Sequence, residues 1–253
     1  MDTNPLIFDI GLFDGTDTAY YLELGRVVSV EANPRLVQRG QERFAAEIKS
    51  GRLTIVHAAI STDTSPVELT VSADDLGASS MFHDRVADRQ PAGSFTAPGL
   101  PILDLIKQYG VPEYLKVDIE GADRFCILPL TRAARPRYLS FEIGPDVEEL
   151  LAHVRSIGYT RFKIINQVRL RELANEASLG DRIASRMTKL LGKEESRQMR
   201  RAGRVFSAGV CSGPVPWKTD GRWYAGDETI ARWRRRQAQS GYLPHYDVHA
   251  ALD

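Results

Sequence analysis

The residues best placed to do chemistry are acids that end apolar runs. Asp9 follows Leu6-Ile7-Phe8, and Glu31 follows Val27-Val28-Ser29-Val30. Between them lies the turn Gly11-Leu12-Phe13-Asp14-Gly15, then Thr16, Asp17 and Thr18, which can open a helix. A buried strand, a glycine turn and a helix start form a nucleotide-binding loop, and an acid ending the next strand suits a ribose. A dinucleotide loop needs three glycines so that a pyrophosphate can approach bare backbone. Here Phe13 fills the middle position, and Asp14 and Asp17 would repel phosphate. The same acids suit a ligand with an ammonium and a sulfonium. S-adenosyl-L-methionine carries both and no phosphate.

On this reading Glu31, followed by Ala32 and Asn33, accepts hydrogen bonds from the ribose hydroxyls. Asp9 and Asp17 lie near the methionine ammonium, and Gly11, Phe13, Asp14, Gly15, Thr16 and Thr18 form the loop. A first-turn acid such as Asp17 also suits the helix dipole without any ligand. Ala59 and Ile60 pack on the adenine or serve as plain core. Ser80 contacts the ligand or, like Ser79, caps a helix. Asp118 is shared between the donor site and the reaction.

Methyl transfer needs a nucleophile in line with methyl and sulfur, and positioning supplies much of the acceleration. A hydroxyl acceptor also benefits from a base or a metal. Asp118, Glu120 and Glu142 end adjacent strands, and any of them can take a proton. His249 is the further catalytic candidate, with His57 and His83 behind it. The same carboxylates could instead hold Mg²⁺ through oxygen, the less favoured alternative. Cys126 and Cys211 stand alone without metal-binding spacing, so no residue is assigned to a metal.

Strands are expected at 6–10, 27–31, 53–60, 114–119, 137–143 and 161–165, with helices between them. This alternation predicts an α/β, Rossmann-like, doubly wound, mostly parallel sheet of seven strands, the last antiparallel. Residues 67–71 alternate as a short extra strand, and 73–99 read as a long functional loop. Residues 168–204 read as a basic helical insertion, a lid or acceptor-binding element before a seventh strand at 205–210. Residues 213–253 form an aromatic tail with a helix at 230–239. One domain over 1–253 is expected.

The chain has 253 residues, 43% hydrophobic and 26% charged, with a net charge of zero. The balance is uneven: residues 1–160 hold 15 Lys/Arg and 23 Asp/Glu, and residues 161–253 hold 18 and 10. The acidic part suits a cationic donor, and the basic part suits an anionic acceptor or docking onto the acidic part. No nucleic-acid motif accompanies the arginines. No apolar run approaches the ~18 residues of a membrane helix. No signal peptide is expected, and the isolated cysteines fit a cytoplasmic protein.

The chain resembles the FkbM-type methyltransferases over most of its length. The resemblance rests on Asp9-Ile10-Gly11 with Gly15-Thr16-Asp17-Thr18, Val30-Glu31-Ala32-Asn33-Pro34, Leu115-Lys116-Val117-Asp118-Ile119-Glu120-Gly121 and Ser140-Phe141-Glu142. Ser212-Gly213-Pro214 and Tyr246-Asp247-Val248-His249-Ala250 also look like this family. Phe13 departs from it, standing where similar sequences often carry Asn or His. The resemblance implies a class I fold and S-adenosylmethionine-dependent O-methylation of a sugar, glycan or natural product. The acceptor is then a small molecule or carbohydrate, not nucleic acid or membrane, and a homodimer is compatible. A nicotinamide-dependent reductase and a non-catalytic S-adenosylmethionine-binding module are the competing readings.

Overall fold

The computed structural model describes residues 4–72, 79–80, 91–119, 121–167, 169–173, 197–208, 211–240 and 245–253. Four apolar runs form parallel strands: β1 (Leu6–Ile10), β2 (Arg26–Glu31), β3 (Leu53–His57) and β9 (Tyr114–Val117). With β10 (Tyr138–Glu142), β11 (Arg161–Asn166), the two-residue β12 (Arg171–Glu172) and β15 (Tyr246–Ala251) they make one eight-stranded sheet. Its order is β12-β11-β15-β10-β9-β1-β2-β3, and β15 runs antiparallel to both its neighbours. The expected mostly parallel arrangement with one antiparallel long strand is therefore present, plus one short edge strand, but its seventh strand is not the expected segment.

The helices close both faces. α1 (Thr16–Tyr21) lies on one, where Tyr20 and Tyr21 pack with Leu12, Tyr114 and Tyr138. α2 (Pro34–Arg43) starts on Asn33, whose side chain accepts from the Arg35 N–H at 3.0 Å, with Pro34 at the first helical position. α3 (Ala45–Lys49) continues it after a break at Phe44. On the other face α4 (Ile102–Tyr109), α5 (Arg124–Ile127), α6 (Val147–Ser156) and α7 (Gly226–Ser240) cover the sheet; Leu105, Ile127, Leu150 and Trp233 enter one core with Phe8 and Phe141.

Three expectations need correction. The last strand of the sheet is β15, not 205–210. Its Asp247 and His249 disguise it, yet all six residues are buried because it is paired on both edges. The segment at 205–210 instead contributes β14 (Arg204–Ala208), which forms a hairpin with β13 (Arg197–Arg201). The basic insertion is thus not helical at its described end, and residues 174–196 lie outside the described residues. Ala202 and Gly203 turn the hairpin with φ of 46° and 80°, the left-handed pair of a tight two-residue turn.

The third correction concerns 73–99, which is not all loop. β5 (Val67–Ser72) pairs with β7 (Pro91–Ala97) and with β6 (Ser79–Ser80) in a small antiparallel sheet. β4 (Ala59–Ile60) joins β8 (Gly99–Leu100) beside it.

Candidate active site

The carboxyl ends of β1, β2 and β9 converge on one cleft. Its walls include Gly11 and Phe13 from the first loop, Glu31 and Ala32 after β2, and Asp118 after β9. Its apolar floor is Ala58, Ala59, Ile60, Leu69, Ile119 and Ala122. Gly11 is required twice over. Its φ is 94°, and a Cβ there would meet the Asp118 carbonyl oxygen at 2.1 Å. The loop then rides on β2, with the Gly11 and Leu12 N–H groups both donating to the Val30 carbonyl.

Glu31 is fixed by backbone. One carboxylate oxygen accepts from the Phe13 N–H at 3.0 Å, the other from the Asn33 N–H at 2.8 Å. Burial raises its pKa, and these two donors hold the shift down. Two N–H bonds leave the carboxylate with lone pairs to spare beside the cleft. Phe13 adopts φ 48° to present its N–H, and the residue is 38% exposed at the cleft wall.

Behind the loop lies a buried charge that the sequence reading did not assign a role. The Lys116 ammonium sits 3.3 Å from Asp9, 3.6 Å from Asp118 and 3.8 Å from Asp17, and donates to the Gly11 carbonyl at 3.1 Å. Burial works against its charge, but Asp9, Asp118 and Asp17 outweigh burial and hold its pKa well above the usual lysine value. Burial raises Asp9 and Asp17, the latter to about 7, against the pull of Lys116.

Lys116 belongs to a polar row crossing the sheet. Ser29, Asp9, Lys116, Ser140, His249 and Lys163 are successive partners in register, and none is more than 3% exposed. A lysine inside the buried four-residue strand β9 was the signal available in the sequence. Seeing its partner Asp9 needed the register.

Several expected roles change. Asp9 and Asp17 do not line the cleft. Asp9 accepts from the Thr18 hydroxyl at 2.5 Å, and Asp17 accepts the Ser212 N–H at 3.0 Å, which ties the 211–215 segment to α1. The ammonium they face is Lys116. Asp14 accepts from the N–H and hydroxyl of Thr16 and so shapes the helix start. Gly15 has φ 77°, and a Cβ on it would strike Phe44. Thr18 also meets Ser29, and Asn33 caps α2.

The catalytic candidates separate in the same way. His249 is fully buried in the middle of β15, and burial pushes it down to about 3. Neither ring nitrogen has a hydrogen-bond partner among the described residues. It is a neutral histidine inside the core, with 0% exposure. His57 meets the Ala32 carbonyl at 3.1 Å. Glu142 ends β10 and pairs in register with Asp247 on β15, one step from Asp118. Burial, then Asp118 and Glu142, hold the 3%-exposed Asp247 carboxyl well above its usual pKa, and Gln167 donates to it at 2.7 Å. Asp247 was not singled out from the sequence. Glu120, His83 and the Ser80 side chain lie outside the described residues. Among the described residues no three acidic, His or Cys side chains form a metal-ligating group, and no helix is long and apolar enough to cross a membrane.

The model of the methyltransferase FkbM domain matches residues 9–161. The chain belongs to the FkbM methyltransferase family. The donor of this family is S-adenosylmethionine. Comparison with curated proteins finds no match. A solved FkbM methyltransferase from Methylobacillus flagellatus is 18% identical, with a TM-score of 0.43 over 65% of this chain; the match spans 40% of that chain. A precorrin-6y C5,15-methyltransferase from Geobacter metallireducens is 13% identical, TM-score 0.37, over 65% of this chain and 67% of its own. An S-adenosylmethionine-dependent O-methyltransferase from Thermotoga maritima is 11% identical, TM-score 0.37, over 99% and 61%.

Proposed function

We propose that this chain transfers a methyl group from S-adenosylmethionine to a hydroxyl of a sugar, glycan or natural-product small molecule. The observation that carries the donor is the Glu31 carboxylate, fixed by two backbone N–H groups at the rim of an apolar-floored cleft. Glu31 holds the ribose, Ala59 and Ile60 face the adenine, and Asp118 faces the cationic tail. When bound, the donor supplies an electrophilic methyl on a positively charged sulfur.

The acids at the mouth then divide the work. Asp118 stands 3.6 Å from Lys116 and is half-exposed in the cleft, which suits holding a cation more than accepting a proton. Glu142, one strand over beside the buried Asp247, takes the proton from the acceptor hydroxyl.

Calorimetry tests the donor reading. S-adenosylmethionine or its demethylated product should bind and NAD(H) should not. Glu31→Ala should weaken binding at least ~10-fold, since two charge-assisted hydrogen bonds are lost. Binding of NAD(H) alone would overturn the reading, and an unchanged affinity would remove Glu31 from the ribose site. Incubation with labelled donor and a fractionated extract then identifies the acceptor by mass.

A further inference from the structure

A second cleft opens between β12 and the β13–β14 hairpin. Arg171, Arg200 and Arg201 line it, with Glu172, Asp220 and the Ala202-Gly203 turn. The acids do not cancel the arginines. Glu172 is engaged by Arg232 at 2.5 Å, so its charge is already compensated. The Arg201 guanidinium donates to the Arg200 and Arg169 carbonyls at 2.8 and 3.0 Å and so pins the hairpin to the segment before β12. Arg171 and Arg200 are exposed, and neither has an ion pair among the described residues. Among the described residues Asp220 is the single wall carboxylate left against them.

Register places this cleft relative to the mouth described above. Glu172 pairs with Ile165, Ile165 with Asp247 and Asp247 with Glu142. The arginines and Glu142 therefore share the carboxyl end of the sheet. Three strand spacings separate Glu142 from β12, about 15 Å. That is the reach of an extended molecule of a few sugar or nucleotide units.

We propose that this cleft docks the anionic end of the acceptor, a phosphoryl or carboxylate group gripped by the Arg171 and Arg200 guanidiniums, while the hydroxyl to be methylated reaches Glu142. Two guanidinium forks match the paired oxygens of either anion. The acceptor's class is then an extended, acidic molecule with its charge about 15 Å from the reacting oxygen. This inference rests on the methyl-transfer reading, and it is separable from it by experiment.

Calorimetry on the intact chain uses inorganic pyrophosphate and galacturonate as probes, with S-adenosylhomocysteine titrated in parallel. At least one anion should bind, and which one does distinguishes a phosphoryl from a carboxylate acceptor. Arg171→Ala and Arg200→Ala should each weaken that anion about 10-fold, the loss of a charge-assisted pair, and leave S-adenosylhomocysteine unchanged. Asp220→Asn should tighten anion binding, a gain that damage to the fold would not produce. Neither anion binding, or binding indifferent to all three substitutions, overturns the inference while S-adenosylhomocysteine binding keeps the methyl-transfer reading intact. Loss of S-adenosylhomocysteine binding by the unaltered chain would instead sink that reading and the inference with it.

Discussion

Replacing Lys116 by Met would leave Asp9, Asp17 and Asp118 facing one another without a cation. Removing one partner of a buried ion pair costs about 3–5 kcal/mol, because the survivors keep their desolvation penalty. Denaturant unfolding of Lys116→Met at pH 7.5 should show a loss of that size. The loss should shrink at pH 5, where the stranded acids can take up protons; an equal loss at both pH values would mean that packing, not charge, was removed. Glu142→Gln tests the other role. Single-turnover methylation should slow by roughly 100-fold, the usual contribution of a positioned base, with donor affinity unchanged. A rate that survives would hand the proton to another group or to water.

Elements set which of these roles the sequence could reveal. The β1 turn was legible because a glycine with φ 94°, a helix start and an acid at the end of β2 are local patterns. Gly11→Ala should cost about 2–4 kcal/mol and abolish donor binding, since its Cβ would drive into the Asp118 carbonyl. Gly51→Ala is the control. It has a similar φ of 74° but nothing within 4 Å, so only the backbone strain of about 1 kcal/mol remains. Equal losses in thermal denaturation would show that the loop does not depend on the close approach. What was not legible depends on pairing across the chain. β15 reads as polar until β10 and β11 are placed on either side of it. The hairpin reads as a basic helix until Ala202-Gly203 is recognised as its turn. Asp9 and Asp17 read as ligand contacts until register delivers Lys116 to them.

For the molecule as a whole, buried acids make stability fall as pH rises through neutrality. Burial raises Asp17 and Asp123 to about 7, with Asp118 adding to the shift on Asp123. Unfolded, both titrate near 4, so below that pH their contribution is fully present, and it is lost as pH climbs through 7. His249 works the other way, but only on the acid side: it stays neutral in the fold down to about 3, and unfolded it is already neutral above about 6.5. Between pH 6.5 and 8 the acids dominate, opposed in part by Lys163, whose pKa burial lowers to about 8. The ligand-free protein should lose on the order of 1 kcal/mol over that window, a Tm lower by about 2–4 °C. A flat profile would mean that these carboxyls are ionised throughout. Thermal denaturation at pH 6.5 and at pH 8 decides it.

The position of β15 also bears on how the protein is made. It lies between β10 and β11, yet the ribosome delivers it only after the basic segment, the hairpin and α7 have been synthesised. Until then β10 and β11 emerge with open hydrogen-bonding edges, and the nascent chain carries a sheet split in two. Exposed strand edges of this kind invite pairing with other chains. Strands β1 to β10 can assemble early during translation, while β11 and β12 cannot join them until β15 arrives to bridge the gap.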